Sequence, residues 1–231
     1  SDTGDHVVRA IARHYGTACS CGSAGGTCTD TQYTNDTDDL VFSVTLSMGA
    51  ERAGHTASLM TNGSVLVVGG GTATAEGYDP SARSWSNAGT TAARSNHTAT
   101  VLPSAKLLVA GGSVGGTTSA TTEIYDPFAK TWGAGPALLG ARESHTATRL
   151  QDGRVLLVGG VRNFSTYLSS AEILDPVAGT VTATGSLAAA RGGHTASLLQ
   201  NGKVLVCGGT GGAGSLASCE IYDPAAGTWA P

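Results

Sequence analysis

The sequence predicts an all-β protein in which one unit of four strands occurs four times in succession. The motif Arg-x-x-His-Thr-Ala places its histidine at positions 55, 97, 145 and 194, with spacings of 42, 48 and 49 residues. An Asp-Pro pair recurs with its aspartate at 79, 126, 175 and 223, at spacings of 47, 49 and 48 residues. Periods in the forties with a Gly-Gly pair in every copy indicate a repeat architecture. The 34 glycines and 13% charged residues are typical of a turn-rich β protein.

The first two strands of the unit are clearest in the last copy. Residues 194–199 (His-Thr-Ala-Ser-Leu-Leu) alternate small and apolar side chains, as a packed strand does. Asn201-Gly202 follows and predicts a tight hairpin with a type I′ turn, in which both central residues have positive φ. Asn62-Gly63 and Asp152-Gly153 repeat this signal, whereas Ser104-Ala105 predicts a different turn in the second copy.

The second half of the unit completes a sheet of four strands. Residues 204–207 (Val-Leu-Val-Cys) are almost wholly apolar, as expected for a strand buried on both faces. Gly208-Gly209 ends this strand, residues 220–222 begin the third, and after an Asp-Pro turn a short strand surrounds Trp229. Four strands in meander order form one blade of a β-propeller. We therefore expect residues 48–231 to form four blades, with each His-Thr-Ala motif on the strand nearest the axis.

The unit resembles a kelch repeat. The matching features are the Gly-Gly pair after the second strand, the tyrosine of the third strand (Tyr222) and the tryptophan of the fourth (Trp229). The resemblance covers residues 52–229, and the Arg-x-x-His-Thr-Ala opening is similar to the bacterial style of kelch repeat. The third copy departs from it, with Leu174 for the tyrosine and Val181 for the tryptophan. We expect the packing there to be rebuilt from smaller side chains.

The resemblance implies three candidate functions. Kelch-like propellers usually bind through the loops at one mouth of the ring, which implies a non-catalytic module for a protein or glycan partner. A second hypothesis is a structural subunit of a surface assembly that joins others, or further copies of itself, through an open blade edge. A third is a kelch-type enzyme, such as a galactose-oxidase-like oxidase or an epimerase, which needs converging ligands or a basic pocket. Because the repeated histidines do not supply such a site, the sequence favours the binding module.

The mouth loops differ between copies and indicate where binding occurs. They span residues 71–75, 113–121, 161–170 and 210–218, and three of the four consist mainly of small residues. The third contains the large side chains of Arg162, Asn163, Phe164 and Tyr167. Aromatic residues beside an arginine are typical of interface hot spots. The alternative is that the two aromatic rings fold over the mouth or compensate for the missing tryptophan.

An arginine, a histidine and a glutamate recur once in each copy. A residue present in every blade is more typical of the blade's construction than of a single site. We expect each histidine to bond to neighbouring backbone, and each arginine to pair with a glutamate of the neighbouring blade, because a partly buried charge needs a partner. The alternative is a ring of histidines around a metal. The residues are Arg52, His55 and Glu76; Arg94, His97 and Glu123; Arg142, His145 and Glu172; and Arg191, His194 and Glu220.

Residues 1–47 equal one repeat in length but lack the repeat motifs. Residues 5–16 have the apolar spacing and end signals of a short helix. Residues 40–46 read as the outer strand of a partial or divergent blade. The segment therefore closes the ring as a fifth blade, leaves it open for another chain, or packs on one mouth as a helical cap.

The five cysteines predict disulfides and one remaining thiol. Cys207 and Cys219 lie on strands that should be antiparallel neighbours, at positions that are apolar or small in the other copies, so we expect a cross-strand disulfide rather than two buried thiols. Among Cys19, Cys21 and Cys28, closure of the longer loop favours Cys19–Cys28. A zinc site that includes His6 or His14 is the alternative.

Composition limits the remaining possibilities. The net charge of −4, with only three lysines, argues against a nucleic-acid partner. No run of eighteen apolar residues predicts a membrane span. The start at Ser1, without a methionine or an apolar leader, indicates either a removed signal peptide or a fragment. Together with the cysteines it leads us to expect a secreted or cell-surface protein. We expect no required cofactor, although the acidic Asp36, Asp38 and Asp39 offer hard oxygen ligands for Ca²⁺.

Overall fold

A computed structural model describes residues 47–231. Within this range the secondary structure consists of strands and turns, and residues Met48–Pro231 form one compact unit. No helix long and apolar enough to span a membrane occurs among residues 47–231. The all-β prediction is confirmed for this part of the chain. The predicted helix at residues 5–16, the predicted strand at 40–46 and the cysteine and acidic clusters between them lie outside the described residues.

The strands follow the four predicted repeats. The first contains β1 (His55–Leu59), β2 (Val65–Gly69), β3 (Thr74–Asp79) and β4 (Ser84–Thr90). The second contains β5 (Arg94–Ser95), β6 (Thr98–Val101), β7 (Leu107–Ala110), β8 (Ser113–Val114), β9 (Thr117–Thr118), β10 (Thr122–Asp126) and β11 (Thr131–Ala134). The third contains β12 (Thr146–Arg149), β13 (Val155–Val158), β14 (Val161–Arg162), β15 (Thr166–Tyr167), β16 (Ala171–Asp175) and β17 (Thr180–Thr184). The fourth contains β18 (Thr195–Leu198), β19 (Val204–Cys207), β20 (Thr210–Gly211), β21 (Gly214–Ser215), β22 (Cys219–Asp223) and β23 (Thr228–Ala230).

Each repeat forms one antiparallel sheet of four strands in chain order. The sheets, numbered 1 to 4 here, are β1-β2-β3-β4, β6-β7-β10-β11, β12-β13-β16-β17 and β18-β19-β22-β23. The short strands between the second and third strands of repeats 2 to 4 form small hairpins outside the main sheets, and in repeat 2 β5 pairs with β8 to make a sheet of three strands. The predicted meander of four strands is therefore confirmed in every repeat.

The hairpin turn between the first two strands differs from the predicted type. In the first repeat Met60 donates its N–H to the Ser64 carbonyl and accepts one from Gly63, which closes a three-residue loop. Only the last loop residue has positive φ, as in a type I turn followed by a left-handed residue, so the type I′ prediction was wrong. The second repeat makes the same turn with Ala105 at φ 65°, although it lacks the glycine.

Successive sheets pack face to face through their second strands. Leu66 and Val68 of sheet 1 meet Leu107 and Val109 of sheet 2 in one apolar cluster. Equivalent clusters join sheets 2 and 3 and sheets 3 and 4. All residues of β7 and β13 are buried, which confirms the prediction of strands covered on both faces for the two middle repeats. The first strands β1, β6, β12 and β18 adjoin one another in that order.

The tyrosine and tryptophan of the repeat form a ring pair on the third and fourth strands. Tyr125 and Trp132 are register partners with ring centroids 5.0 Å apart. Tyr78–Trp85 and Tyr222–Trp229 pair in the same way. In the third repeat Leu174 and Val181 take these positions and pack in the cluster between sheets 2 and 3. The smaller side chains thus rebuild this packing, as the sequence predicted.

The predicted disulfide joins Cys207 to Cys219 across β19 and β22. Their Cα atoms are register partners 4.1 Å apart, slightly closer than the expected 4.4 Å or more. The equivalent register pair in sheet 3 is Val158 and Ala171, which are buried by sheet 4. The disulfide therefore occupies a position that is filled by apolar or small side chains in the other sheets.

Candidate binding site

The repeated arginine lies inside the fold in all four copies. The side chain of Arg142 has no exposed surface, and its Nη1 donates to the carbonyl oxygens of Gly159 (2.8 Å) and Ser170 (3.2 Å). Its Nη2 donates to Ser170 Oγ and to the carboxylate of Glu172. The guanidinium thus ties the ends of the second and third strands together. The equivalent ion pairs are Arg52–Glu76 (2.5 Å), Arg94–Glu123 (2.6 Å) and Arg191–Glu220 (3.0 Å).

The prediction that the paired glutamate belongs to the neighbouring blade was wrong. Arg142 and Glu172 belong to the same repeat, because the long arginine side chain reaches across the strand ends of its own sheet. The glutamate makes the connection to the preceding repeat instead. Its carboxylate accepts the N–H groups of Leu139 (2.9 Å) and Gly140 (3.0 Å), in the segment that leads from sheet 2 to sheet 3.

The same arrangement sets the charge state of the first glutamate. Burial would raise the pKa of Glu76, but the hydrogen bonds from Arg52 and from the Gly49 N–H outweigh burial. The pKa of Glu76 therefore lies below its ordinary value, and the carboxylate is ionised at neutral pH.

Three of the four repeated histidines bind a threonine of the preceding repeat. His97 Nε2 and Thr56 Oγ1 share a hydrogen bond of 2.9 Å between β1 and the residue before β6. His145–Thr98 and His194–Thr146 repeat this contact at 2.9 Å. The bonded partner of Nε2 is a threonine side chain and not the predicted backbone, because the threonine of one His-Thr-Ala motif faces the histidine of the next. His194 also has a backbone hydrogen bond with Arg191. The histidine is thus a contact between sheets.

The position between sheets keeps these imidazoles neutral. Burial, together with Arg94, lowers the pKa of His97 to about 4. Burial and Arg191 lower the pKa of His194 to about 4, and burial lowers that of His145 well below its ordinary value. Within residues 47–231 no three His, Cys, Asp or Glu side chains come close enough to hold a metal ion together.

The predicted binding residues lie on a hairpin formed by β14 and β15, which we name the mouth hairpin (residues 161–167). Asn163 (φ 51°) and Phe164 (φ 62°) at its tip both have left-handed backbone. Phe164 is 67% exposed, so most of its ring faces solvent. Arg162 and Asn163 are also exposed, whereas Tyr167 is half-buried. The hairpin therefore presents three of the four predicted side chains to solvent.

Two buried residues that the sequence analysis missed hold the mouth hairpin in place. Thr118 Oγ1 accepts the N–H of Asn163 (3.0 Å) and lies 3.4 Å from the carboxylate of Glu143, to which it donates. Glu143 also exchanges two backbone hydrogen bonds with Val161. Thr118 and Glu143 are 6% and 4% exposed. The hairpin of repeat 3 is thus fastened to β9 of repeat 2.

A sequence signal for Glu143 was available in the repeat alignment. The other copies have Ala53, Ser95 and Gly192 between the arginine and the histidine, so a glutamate occurs there only in the copy with the large mouth hairpin. Cross-strand pairing of Glu143 with Val161 and of Val161 with Tyr167 places these three side chains on one face. The departures from the repeat therefore cluster at one place.

Comparison with known proteins supports the kelch resemblance and the fold. Residues 191–231 match the Kelch motif, so the fourth repeat is a kelch repeat as predicted. No curated protein matches the chain.

A solved structure described as a novel fungal alcohol oxidase with catalytic diversity among the AA5 family, in complex with copper, has a similar fold, with a TM-score of 0.52 and 20% sequence identity. The match covers 79% of this chain and 53% of that one, so this chain spans about half of its length. At this identity the likeness extends to the fold alone.

We predict that Arg142→Ala lowers the free energy of unfolding by about 3–5 kcal/mol, because it leaves the buried Glu172 carboxylate without its cation. Arg154→Ala is the matched control. Its ion pair with Asp152 is 40% and 47% exposed, so we expect a loss below about 1 kcal/mol. Urea unfolding followed by circular dichroism measures both, and equal losses would contradict the structural role of the buried pair.

We also predict that stability falls between pH 7 and pH 5. The folded pKa of His97 and His194 lies near 4, below the unfolded value of about 6.5, so the unfolded chain binds more protons as the pH drops. Each neutral histidine contributes its full stabilisation of the fold above pH 6.5. By pH 5 the free energy of unfolding has fallen by roughly 2 kcal/mol per histidine. Urea unfolding at several pH values should show this slope, and His97→Gln should reduce it. A flat profile would contradict the buried neutral state.

Proposed function

We propose that sheets 1 to 4 are blades of a β-propeller that serves as a non-catalytic binding module. In this proposal the mouth hairpin contacts an extracellular protein. The single observation that carries it is the conformation of Phe164, a large apolar side chain held 67% exposed on left-handed backbone.

The left-handed backbone of Phe164 destabilises the folded state, and its exposed ring does not offset this by packing. Left-handed backbone costs a phenylalanine roughly 1–2 kcal/mol, whereas asparagine, which precedes it at position 163 with the same backbone, adopts this conformation more readily. Strain of this kind persists where the surrounding fold imposes it, often at ligand-binding sites. Here the fold imposes it through the bond between Asn163 N–H and Thr118, which is buried.

An exposed aromatic ring is an efficient anchor for a protein partner. Because Thr118 and Glu143 hold the backbone of the hairpin, binding should cost less conformational entropy than it would with an unattached loop. Arg162 precedes the turn, and arginine next to aromatic residues is the composition of binding hot spots. The kelch motif of the fourth repeat supports a protein-binding type of fold, which favours a protein over a glycan.

The enzyme hypothesis draws its support from the fold likeness to the fungal alcohol oxidase. Within residues 47–231, His97, His145 and His194 contact threonines between sheets and the repeated arginines contact carboxylates, which favours the binding module over the enzyme. The export hypothesis rests on the Cys207–Cys219 disulfide, since disulfides persist chiefly in oxidising compartments.

Phe164→Gly separates binding from folding. We expect it to weaken partner binding at least tenfold, as removal of a hot-spot ring does. Its stability should stay equal or rise by up to about 1 kcal/mol, because glycine adopts positive φ without strain. Phe128→Gly is the control. Phe128 is 83% exposed but has ordinary backbone, so we expect glycine there to keep binding and to lower stability slightly.

The binding assay uses extracellular proteins of the source organism, passed over each immobilised variant and quantified by mass spectrometry, with a glycan array in parallel. Proteins that the wild type and Phe128→Gly retain and Phe164→Gly loses would support the proposal. Equal retention by all three, or retention of glycans alone, would contradict it.

A further inference from the structure

The same two hydrogen bonds recur between successive sheets of this chain, at three places. The histidine of each repeat bonds to the threonine of the repeat before it. Next to this bond, the second glycine of each Gly-Gly pair donates its N–H to the carbonyl of the following repeat's arginine. These bonds are Gly70 to Arg94 (2.7 Å), Gly112 to Arg142 (2.8 Å) and Gly160 to Arg191 (2.8 Å). A joint therefore has a threonine–glycine side and a histidine–arginine side.

Sheet 4 carries the threonine–glycine side of a fourth joint, which we name the fourth flank. Thr195 and Ser197 are exposed, whereas their equivalents in sheets 2 and 3 are half-buried by the next sheet. A Cβ on Gly159 would collide with the Arg191 carbonyl, but a Cβ on Gly208 would meet only the Leu216 carbonyl of its own repeat, at 3.6 Å. Among residues 47–231 nothing covers this flank.

Sheet 1 carries the opposite side, which we name the first flank. His55, Ala57 and Leu59 are exposed, with Leu59 at 69%, although the equivalent His97 is 6% exposed. His55 has no threonine partner within the described part of the chain. The first flank thus has the histidine and apolar residues that the fourth flank lacks.

We propose that the first flank of a second copy of this chain docks on the fourth flank, through the same contact that joins sheets within one copy. In this contact His55 bonds to Thr195 of the other copy, and the Gly209 N–H donates to the Arg52 carbonyl. The occupant is a second copy because the fourth flank presents the threonine and glycine groups that receive a histidine–arginine side at every joint within the described chain, and the first flank presents that side with His55 exposed.

Two copies can form two such joints and leave no flank uncovered. Together they supply eight sheets, within the four to eight blades of known propeller rings. The two sides of a joint are complementary but not identical. A dimer that closes through two such joints has a two-fold axis, which relates one joint to the other. The inference is independent of the proposed function, since the mouth hairpin belongs to sheet 3.

Sedimentation velocity and native mass spectrometry between 1 and 100 µM test the dimer. We expect a dimer of twice the 22.9 kDa chain mass. Thr195→Lys on the fourth flank and Ala57→Lys on the first flank should each raise the dissociation constant on the order of 100-fold, because a lysine without a partner becomes buried in the joint. Both positions are exposed in one copy, so circular dichroism should show an unchanged fold.

Thr228→Lys is the matched control, because Thr228 is exposed on the outer strand of the same sheet and should leave the dimer intact. A mixture of Thr195→Lys and Ala57→Lys chains keeps one intact joint and should form a 1:1 complex. A wild type that stays monomeric at 100 µM, a dimer that Thr195→Lys does not weaken, or a mixture that stays monomeric would each overturn the proposal.

Discussion

The buried arginine of each repeat is the interaction on which the rest of the structure depends. Its guanidinium bonds to its own sheet at the ends of the second and third strands and pairs there with a glutamate. In repeats 2 to 4 its backbone carbonyl also accepts the glycine N–H of the preceding sheet. One residue therefore fixes a sheet internally and joins it to its neighbour. Because a buried guanidinium without a carboxylate is very costly, arginine and glutamate occur together in every copy.

Repeats 3 and 4 depart from the shared sequence pattern, and each departure adds a structural feature to a single sheet. Repeat 3 replaces the aromatic ring pair by Leu174 and Val181 and gains Glu143 and the mouth hairpin. Repeat 4 gains the Cys207–Cys219 disulfide, at positions whose equivalents in sheet 3 are buried by the neighbouring sheet. The first departure builds and holds the mouth hairpin. The second covalently braces the sheet whose flank lies open.

Most features that depend on one repeat were predictable from the sequence, with the turn type and the arginine–glutamate pairing as exceptions, and contacts between repeats were not. Strand order, the apolar second strands and the disulfide follow from local pattern and register. The partner of Arg94 lies in its own repeat, but the recurrence of one arginine and one glutamate per repeat does not show whether they pair within a repeat or between repeats. The partner of His97 depends on how one sheet is placed against the next, which no spacing along the chain encodes. The role of Thr118 was hidden for the same reason, because its contacts are 25 and 45 residues away in sequence.

Amide hydrogen exchange measured by NMR tests most directly whether the arginine joints hold the sheets together. The N–H groups of Gly70, Gly112 and Gly160 donate across the joints, whereas Gly116 lies in the exposed turn between β8 and β9. The first three should exchange only on global unfolding, orders of magnitude more slowly than Gly116. Exchange of the three joint glycines at the rate of Gly116 would show that the sheets separate freely and would contradict this account.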